Sequence, residues 1–211
     1  MVKLRVYTQN CIKITGGDAV IYSDPFKVTD EPGDADIILI THSHYDHYSA
    51  EDIRKVISDS TVFVAPEPMT KDITKDFPGH EVIGVKPGKA YDVRGFGIET
   101  VPAYNKLKPF HPKRSGWVGY IVTVDSERIY IAGDTDVTPE TEKVRCDTAL
   151  VPIGGFYTMN AKEAAGLINV IRPTKAIPTH FGNALGSPKE ADTFAKYVDE
   201  GITVENIIEH I

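Results

Sequence analysis

Apolar and polar positions alternate along this chain in many short runs separated by turn residues. Residues 12–15, 19–23, 37–41, 61–65 and 82–85 are β-branched runs bounded by Gly, Asp or Pro, and they predict strands. Residues 96–101, 119–124 and 127–132 predict three more. Gly16-Gly17-Asp18 and Asp125-Ser126 are suited to hairpin turns. The helical period appears less often, and each time with punctuation. Ser49 is placed to cap a helix with Asp52 at its third position and Ile53, Val56 and Ile57 on one face. Asn160 precedes a second helix, with Glu163 at N3 and a stripe of Ala164, Leu167, Ile168 and Ile171. Ser187, Pro188 and Glu190 predict the start of a third, with stripe Ala191, Phe194, Ala195 and Val198 and a stop at Gly201.

The pattern repeats once along the chain. A hairpin strand ends in Asp24 in the first half and in Asp134 in the second. About a dozen residues later Asp36 and Asp147 each precede an apolar strand. Six positions on stand His42 and Ile153, and seven further the caps Ser49 and Asn160. This ladder predicts two related β-rich halves packed face to face with helices outside, a four-layer αββα sandwich of class α/β. No Ser/Gly/Pro-rich linker interrupts it, so residues 1–211 read as one domain.

Composition narrows the classes of function. The net charge is −7, which disfavours a non-specific nucleic-acid binder. No stretch reaches the apolar length of a membrane span, and the strand pattern begins at Val2 without a leader-type apolar core. Cys11 and Cys146 are far apart and form no C-x-x-C, so a reduced, cytoplasmic protein acting on a small molecule is expected.

The chemistry concentrates in Thr41-His42-Ser43-His44-Tyr45-Asp46-His47. Of 7 histidines, three fall in this one turn, which makes a merely polar surface loop a poor explanation. His42 and His44 are two apart in extended chain and face one way. The turn before Ser49 can bring Asp46 and His47 to the other side of a shared centre. Imidazole and carboxylate suit zinc, and also manganese or iron. Asp134 in Ala132-Gly133-Asp134-Thr135 and His180 in Pro178-Thr179-His180 end later strands, and each alone would be an ordinary turn or core residue. Together with the cluster they become candidate ligands. Asp24, in Ser23-Asp24-Pro25, is placed to orient a ligand histidine.

These four motifs, in this order, resemble the metallo-β-lactamase superfamily over about residues 1–182. Val101-Pro102-Ala103-Tyr104 and Val151-Pro152-Ile153-Gly154-Gly155 resemble its small stand-alone branch, with ascorbate-6-phosphate lactonase-like and N-acylphosphatidylethanolamine phospholipase D-like members. The resemblance implies one or two zinc ions. His42 and His44 would serve the first, Asp46, His47 and His180 the second, and Asp134 would bridge them. It implies a metal-bound hydroxide as nucleophile, with Asp46 orienting it or handling its proton, and as substrate a small, possibly anionic, ester, lactone or phosphodiester. One position departs from the family. Asn105 stands where a third histidine is usual, and His111 lies six residues on. Three readings stay open: His111 replaces it, Asn105 ligates weakly or orients a water, or one ion is held weakly. A second departure is Gln9-Asn10-Cys11, where relatives often carry Gly-His. Lys106, Lys108, Lys113 and Arg114 make the loop around His111 basic, so Asn105, Lys106, Lys108 and Arg114 are candidate substrate contacts. Tyr45, Tyr48 and the run Tyr157-Thr158-Met159 are candidate walls, while His80 and His210 fit no motif and read as surface residues. The alternatives are a di-iron redox enzyme on the same fold and a non-catalytic metal-binding module.

Overall fold

The computed structural model describes residues 1–182 and 186–209. Six strands form one sheet in sequence order: β1 (Lys3–Val6), β2 (Ile12–Gly16), β3 (Ala19–Ser23), β4 (Ala35–Leu39), β5 (Ile57–Pro66) and β6 (Glu81–Val85). The second sheet runs from β7 (Ala90–Val93) through β8 (Phe96–Pro102), β9 (Val118–Val124), β10 (Glu127–Ile131), β11 (Thr148–Pro152) and β12 (Lys175–Thr179) to β13 (Thr203–Val204).

The predicted echo reappears as connectivity. Each sheet begins with antiparallel hairpin strands and turns parallel, at β3–β4 in the first and at β10–β11 in the second. The two aspartates of the ladder do the same local work. Asp36 accepts the Val20 N–H on β3 at 2.8 Å, and Asp147 accepts the Arg128 N–H on β10 at 2.8 Å.

The period of two sorts the strand residues into layers. Ile37, Leu39, Val62 and Val64 join the core shared with the second sheet. Their neighbours Ile38, Ile40, Phe63 and Ala65 face the opposite side, where Ile53, Val56 and Ile73 from α1 (Ala50–Val56) and α2 (Thr70–Asp76) cover them. On the far side α3 (Ala161–Ile171) and α4 (Glu190–Tyr197) pack Ala164, Ile168 and Phe194 against the second sheet. The layers are therefore α, β, β, α.

Ser49 caps α1 by accepting the Asp52 N–H, and Asn160 with Glu163 closes a full capping box on α3. The third predicted cap is displaced. Ser187 and Pro188 form a turn in which the Ser187 carbonyl accepts the Glu190 N–H, and α4 starts only at Glu190, with no side-chain cap. Neither α2 nor β7 is among the predicted elements. Both are short and lack a strong period of their own; packing on a neighbour holds them. No helix among the described residues is long and apolar enough to cross a membrane.

One glycine is demanded by close approach. A Cβ at Gly119 on β9 would lie 2.5 Å from the Ala132 carbonyl oxygen and 2.6 Å from that of Ile131. Backbone cannot yield as a side-chain tip can, so Gly119→Ala is expected to cost about 3 kcal/mol, the upper end of ordinary overpacking. At about 2–4 °C per kcal/mol for a chain this size, thermal melting should show a Tm fall of about 6–12 °C.

Candidate metal centre

Four chain segments bring polar side chains to the same end of the two sheets. The loop after β4 delivers His42, His44, Asp46 and His47. The turn after β10 delivers Asp134, and Gly133 makes that turn possible with φ +63°. His180 follows β12, and His111 comes from the loop between β8 and β9. Left-handed backbone at three non-glycine positions helps aim the groups: Gln9 at φ 48°, Asp24 at 46° and His180 at 55°.

Two groups of side chains result. His42, His44, His111 and Asp134 form one, and Asp46, His47 and His180 the other, each with potential ligand atoms within 4.8 Å of one another. Asp134 presents one oxygen to each. Its Oδ2 lies 3.3 Å from His111 Nε2 and 3.9 Å from His42 Nε2. Its Oδ1 lies 3.4 Å from both His47 Nε2 and His180 Nε2. Asp46 Oδ2 is 3.3 Å from His180 Nε2.

A deeper layer sets which ring nitrogens face inward. Buried Asp24 accepts the Thr41 N–H at 2.8 Å, the Thr41 hydroxyl at 2.7 Å and His47 Nδ1 at 2.7 Å. With its proton given to Asp24, the Thr41 oxygen is an acceptor for His42 Nδ1–H at 3.0 Å. These partners assign the proton to Nδ1 of both rings and leave their Nε2 atoms facing the site. His111 is held likewise: its Nδ1 is 2.9 Å from Asn105 Oδ1, and its Nε2 is buried without a hydrogen-bond partner. The Nε2 atoms of His42, His47 and His111 thus turn toward the two groups, where a cation would take the place of the proton that the neighbouring carboxylates otherwise favour on His47.

Charge follows the same geometry. Burial, aided by His47, holds the His42 pKa well below the usual imidazole range. Burial also lowers His44. For His47 burial acts the same way, but Asp134 and Asp24 outweigh it and raise the value well above normal. Burial pushes Asp134 up, yet His180, His47 and His111 together hold it well below the carboxylate range. Asp46 is lowered in the same manner, burial being outweighed by the His180 hydrogen bond and the nearby His47. Burial raises Asp24 in spite of its hydrogen bonds.

Asn105 sits behind His111. Its side-chain amide donates to Asp136 at 3.2 Å and to the Tyr157 carbonyl at 2.9 Å, while its oxygen receives His111. A cavity of about 400 Å³ opens over both groups, lined by Gln9, His44, Tyr45, Asp46, Phe110, His111, Asp134, Tyr157 and His180. The expected basic contacts do not line it. Lys108 is tied to Asp136 at 2.6 Å and to the Thr158 carbonyl at 2.6 Å, and Lys113 to Glu140 at 2.6 Å. Lys106 and Arg114 are exposed outside it. Of the candidate walls, Tyr45 and Tyr157 line the cavity. Thr158 and Met159 are buried, and the Tyr48 hydroxyl turns away to Asp76 at 2.8 Å. His80 is half-buried against the Thr61 carbonyl, and His210 lies outside the described residues.

Three contributors have roles that motif reading did not assign; two of them, Gln9 and Asn10, stand at the Gly-His departure and the third is Trp117. Gln9 lines the cavity, its Oε1 is buried without a partner, and its carbonyl accepts the His180 N–H at 3.0 Å. Asn10 donates to Asp134 at 3.3 Å and accepts the Thr179 hydroxyl at 2.7 Å. Trp117 packs against the rings of His42, His44 and His111 at 4.9, 5.0 and 5.5 Å between centroids.

Two sheets packed back to back, with histidines and aspartates gathered where strands of both halves end, define a fold of the metallo-β-lactamase type. Residues 3–180 match the family described as beta-lactamase superfamily domain, and the chain belongs to that superfamily. Within it, the chain is 32% identical to a protein of Thermococcus onnurineus named UPF0173 metal-dependent hydrolase, covering 95% of this chain and 93% of that one. A namesake from Pyrococcus abyssi is 31% identical with the same coverage. Among solved structures, a candidate metal-dependent hydrolase from Parabacteroides distasonis superposes with TM-score 0.82 at 29% identity, over 98% of this chain and 93% of that one. CmlA, a diiron beta-hydroxylase from Streptomyces venezuelae, shares the fold alone. Its TM-score is 0.79 at 14% identity, over 98% of this chain and 53% of that one.

Proposed function

We propose that the chain is a hydrolase of a small ester, lactone or phosphodiester, working with two divalent cations, zinc first among them. The observation that carries this reading is Asp134, whose two oxygens face two different His/Asp groups. In it His42, His44 and His111 would hold one ion, Asp46, His47 and His180 the other, and Asp134 both. Bound cations there would supply Lewis acidity and bring the pKa of a coordinated water to about 7. The protein's own part is orientation and proton handling. Asp24, directly and through Thr41, keeps His47 and His42 in the tautomer that offers Nε2. Asp46, held ionised at neutral pH and lining the cavity, can accept a proton from an attacking water. His111, with Asn105 as its support, takes the place of the usual third histidine.

Metal analysis of the purified protein, alongside a screen of ester, lactone and phosphodiester substrates, tests the proposal. Two equivalents of zinc per chain with hydrolysis are expected. Iron with reversible redox spectra and no hydrolysis would favour the redox alternative and sink this one. Two variants address the third ligand. His111→Ala should leave about one equivalent, whereas Asn105→Ala should keep two while weakening metal affinity about 10- to 100-fold, the usual cost of losing a ligand's hydrogen-bond partner. Full occupancy and affinity in His111→Ala would remove His111 from the site.

A further inference from the structure

The mouth of the cavity is aromatic. Tyr45 lines it, edge-on to Phe26 with centroids 5.9 Å apart. Phe110 and Tyr157 line it too; Phe110 meets Tyr157 at 4.6 Å and Phe156 meets Tyr157 at 4.8 Å, both edge-to-face. These contacts hold the rings in place at the surface rather than in the core. Of the lining rings Tyr45 is 74% exposed and Phe110 37%, so apolar surface meets solvent at this opening, and Phe156, 68% exposed, extends it behind Tyr157. Such a patch rimming a concave polar site marks ligand binding more often than chance exposure. Among the described residues no lysine or arginine lines the cavity, and the neighbouring Lys108 and Lys113 are paired with Asp136 and Glu140.

We propose that the substrate carries a planar apolar group, seated between Tyr45 and the Phe110–Tyr157 pair, with its scissile bond pointing to the His/Asp groups at the base. This rests on the hydrolase reading for the scissile bond but not for the seat. A flat ring would bury the exposed faces that the edge-to-face contacts leave open. A charged group at the mouth would find no lysine or arginine among the described lining residues.

Phenylphosphonate and methylphosphonate share a metal-seeking head and differ only in the group that reaches the mouth. Their binding to the zinc-loaded protein, measured by calorimetry, tests the seat without any turnover. The phenyl compound should bind at least about 10-fold more tightly, the effect of burying one ring. Tyr45→Ala and Phe110→Ala should bring the ratio toward one with metal content unaltered, and Tyr45→Phe should retain it. Because both side chains are solvent-exposed, these variants should fold as the parent does. Equal binding of the two phosphonates, binding of neither, or a ratio untouched by both alanine variants would overturn the assignment. A preserved preference in a protein that cleaves no ester, lactone or phosphodiester would instead retire the hydrolase reading and leave the seat standing.

Discussion

Asp134→Ala is expected to empty both halves of the metal centre at once. Among the described residues, Asp134 alone presents an oxygen to each group, with Oδ2 3.3 Å from His111 Nε2 and Oδ1 3.4 Å from His180 Nε2. Its removal also leaves four histidine nitrogens facing one another without the carboxylate that balances them. His47, whose raised pKa depends on Asp134 and Asp24, would lose one of the carboxylates beside it and keep Asp24 at 2.7 Å and Asp46 at 3.7 Å. The loss of Lewis-acid stabilisation is worth about 4 kcal/mol or more, so hydrolysis should fall at least about 10³-fold. Elemental analysis should find less than one equivalent of metal per chain. Two equivalents in the variant, at wild-type affinity, would show that Asp134 is not shared between the groups. The comparison with His111→Ala is informative, since that substitution touches one group only.

Asp24→Ala should have the largest effect on stability. The residue is fully buried and accepts from the Thr41 N–H, the Thr41 hydroxyl and His47 Nδ1. Alanine would strand these donors where water cannot reach them. Breaking such a buried network costs about 3–5 kcal/mol. At about 2–4 °C per kcal/mol, Tm measured in the presence of a chelator should fall by about 6–20 °C. Asp24→Asn separates orientation from stability. The amide oxygen can still accept the Thr41 N–H, but the NH₂ would stand where Oδ2 does and face both the Thr41 hydroxyl and His47 Nδ1 as a donor. That inverts the His47 tautomer and places its proton on Nε2, toward the site. Metal affinity should drop about 10- to 100-fold with a much smaller change in Tm. If Asp24→Asn binds zinc as tightly as the parent, Asp24 does not act through the tautomer.

The fold was legible because its signals are local. Period-two runs, the Gly16–Asp18 turn, and the Ser49 and Asn160 caps each state a conformation within a few residues. The doubled ladder of aspartates carried the long-range part, since Asp36 and Asp147 bind the preceding strand in the same way in both halves. The misses have physical reasons too. α4 begins two residues after its expected start because Ser187 spends its carbonyl on a turn to Glu190. α2 and β7 hold their shape through packing on β6 and β8 and not through a pattern of their own.

The site divides along the same line. The run Thr41 to His47, with Asp134 and His180, can be picked out from residue type and position at strand ends. The basic loop could not be read that way. Lys108 and Lys113 count as positive charge in the sequence, yet Asp136 and Glu140, both distant along the chain, cancel them. Gln9 and Asn10 stand out in the sequence only as a departure from the family pattern, and Trp117 not at all; backbone placement and sheet packing bring them to the site.

The sequence by itself therefore determined the two-half sandwich and the set of histidines and aspartates, because strand period, caps and ligand chemistry are written within short segments. Only the tertiary structure decided how those side chains divide into two groups. It assigned His111 to the group of His42 with Asn105 behind it, turned one oxygen of Asp134 toward each group, and set an aromatic rim where cations had been expected. Those outcomes depend on which loops meet at the ends of two sheets, and such meetings are made by long-range packing, whose partners are far apart in the chain.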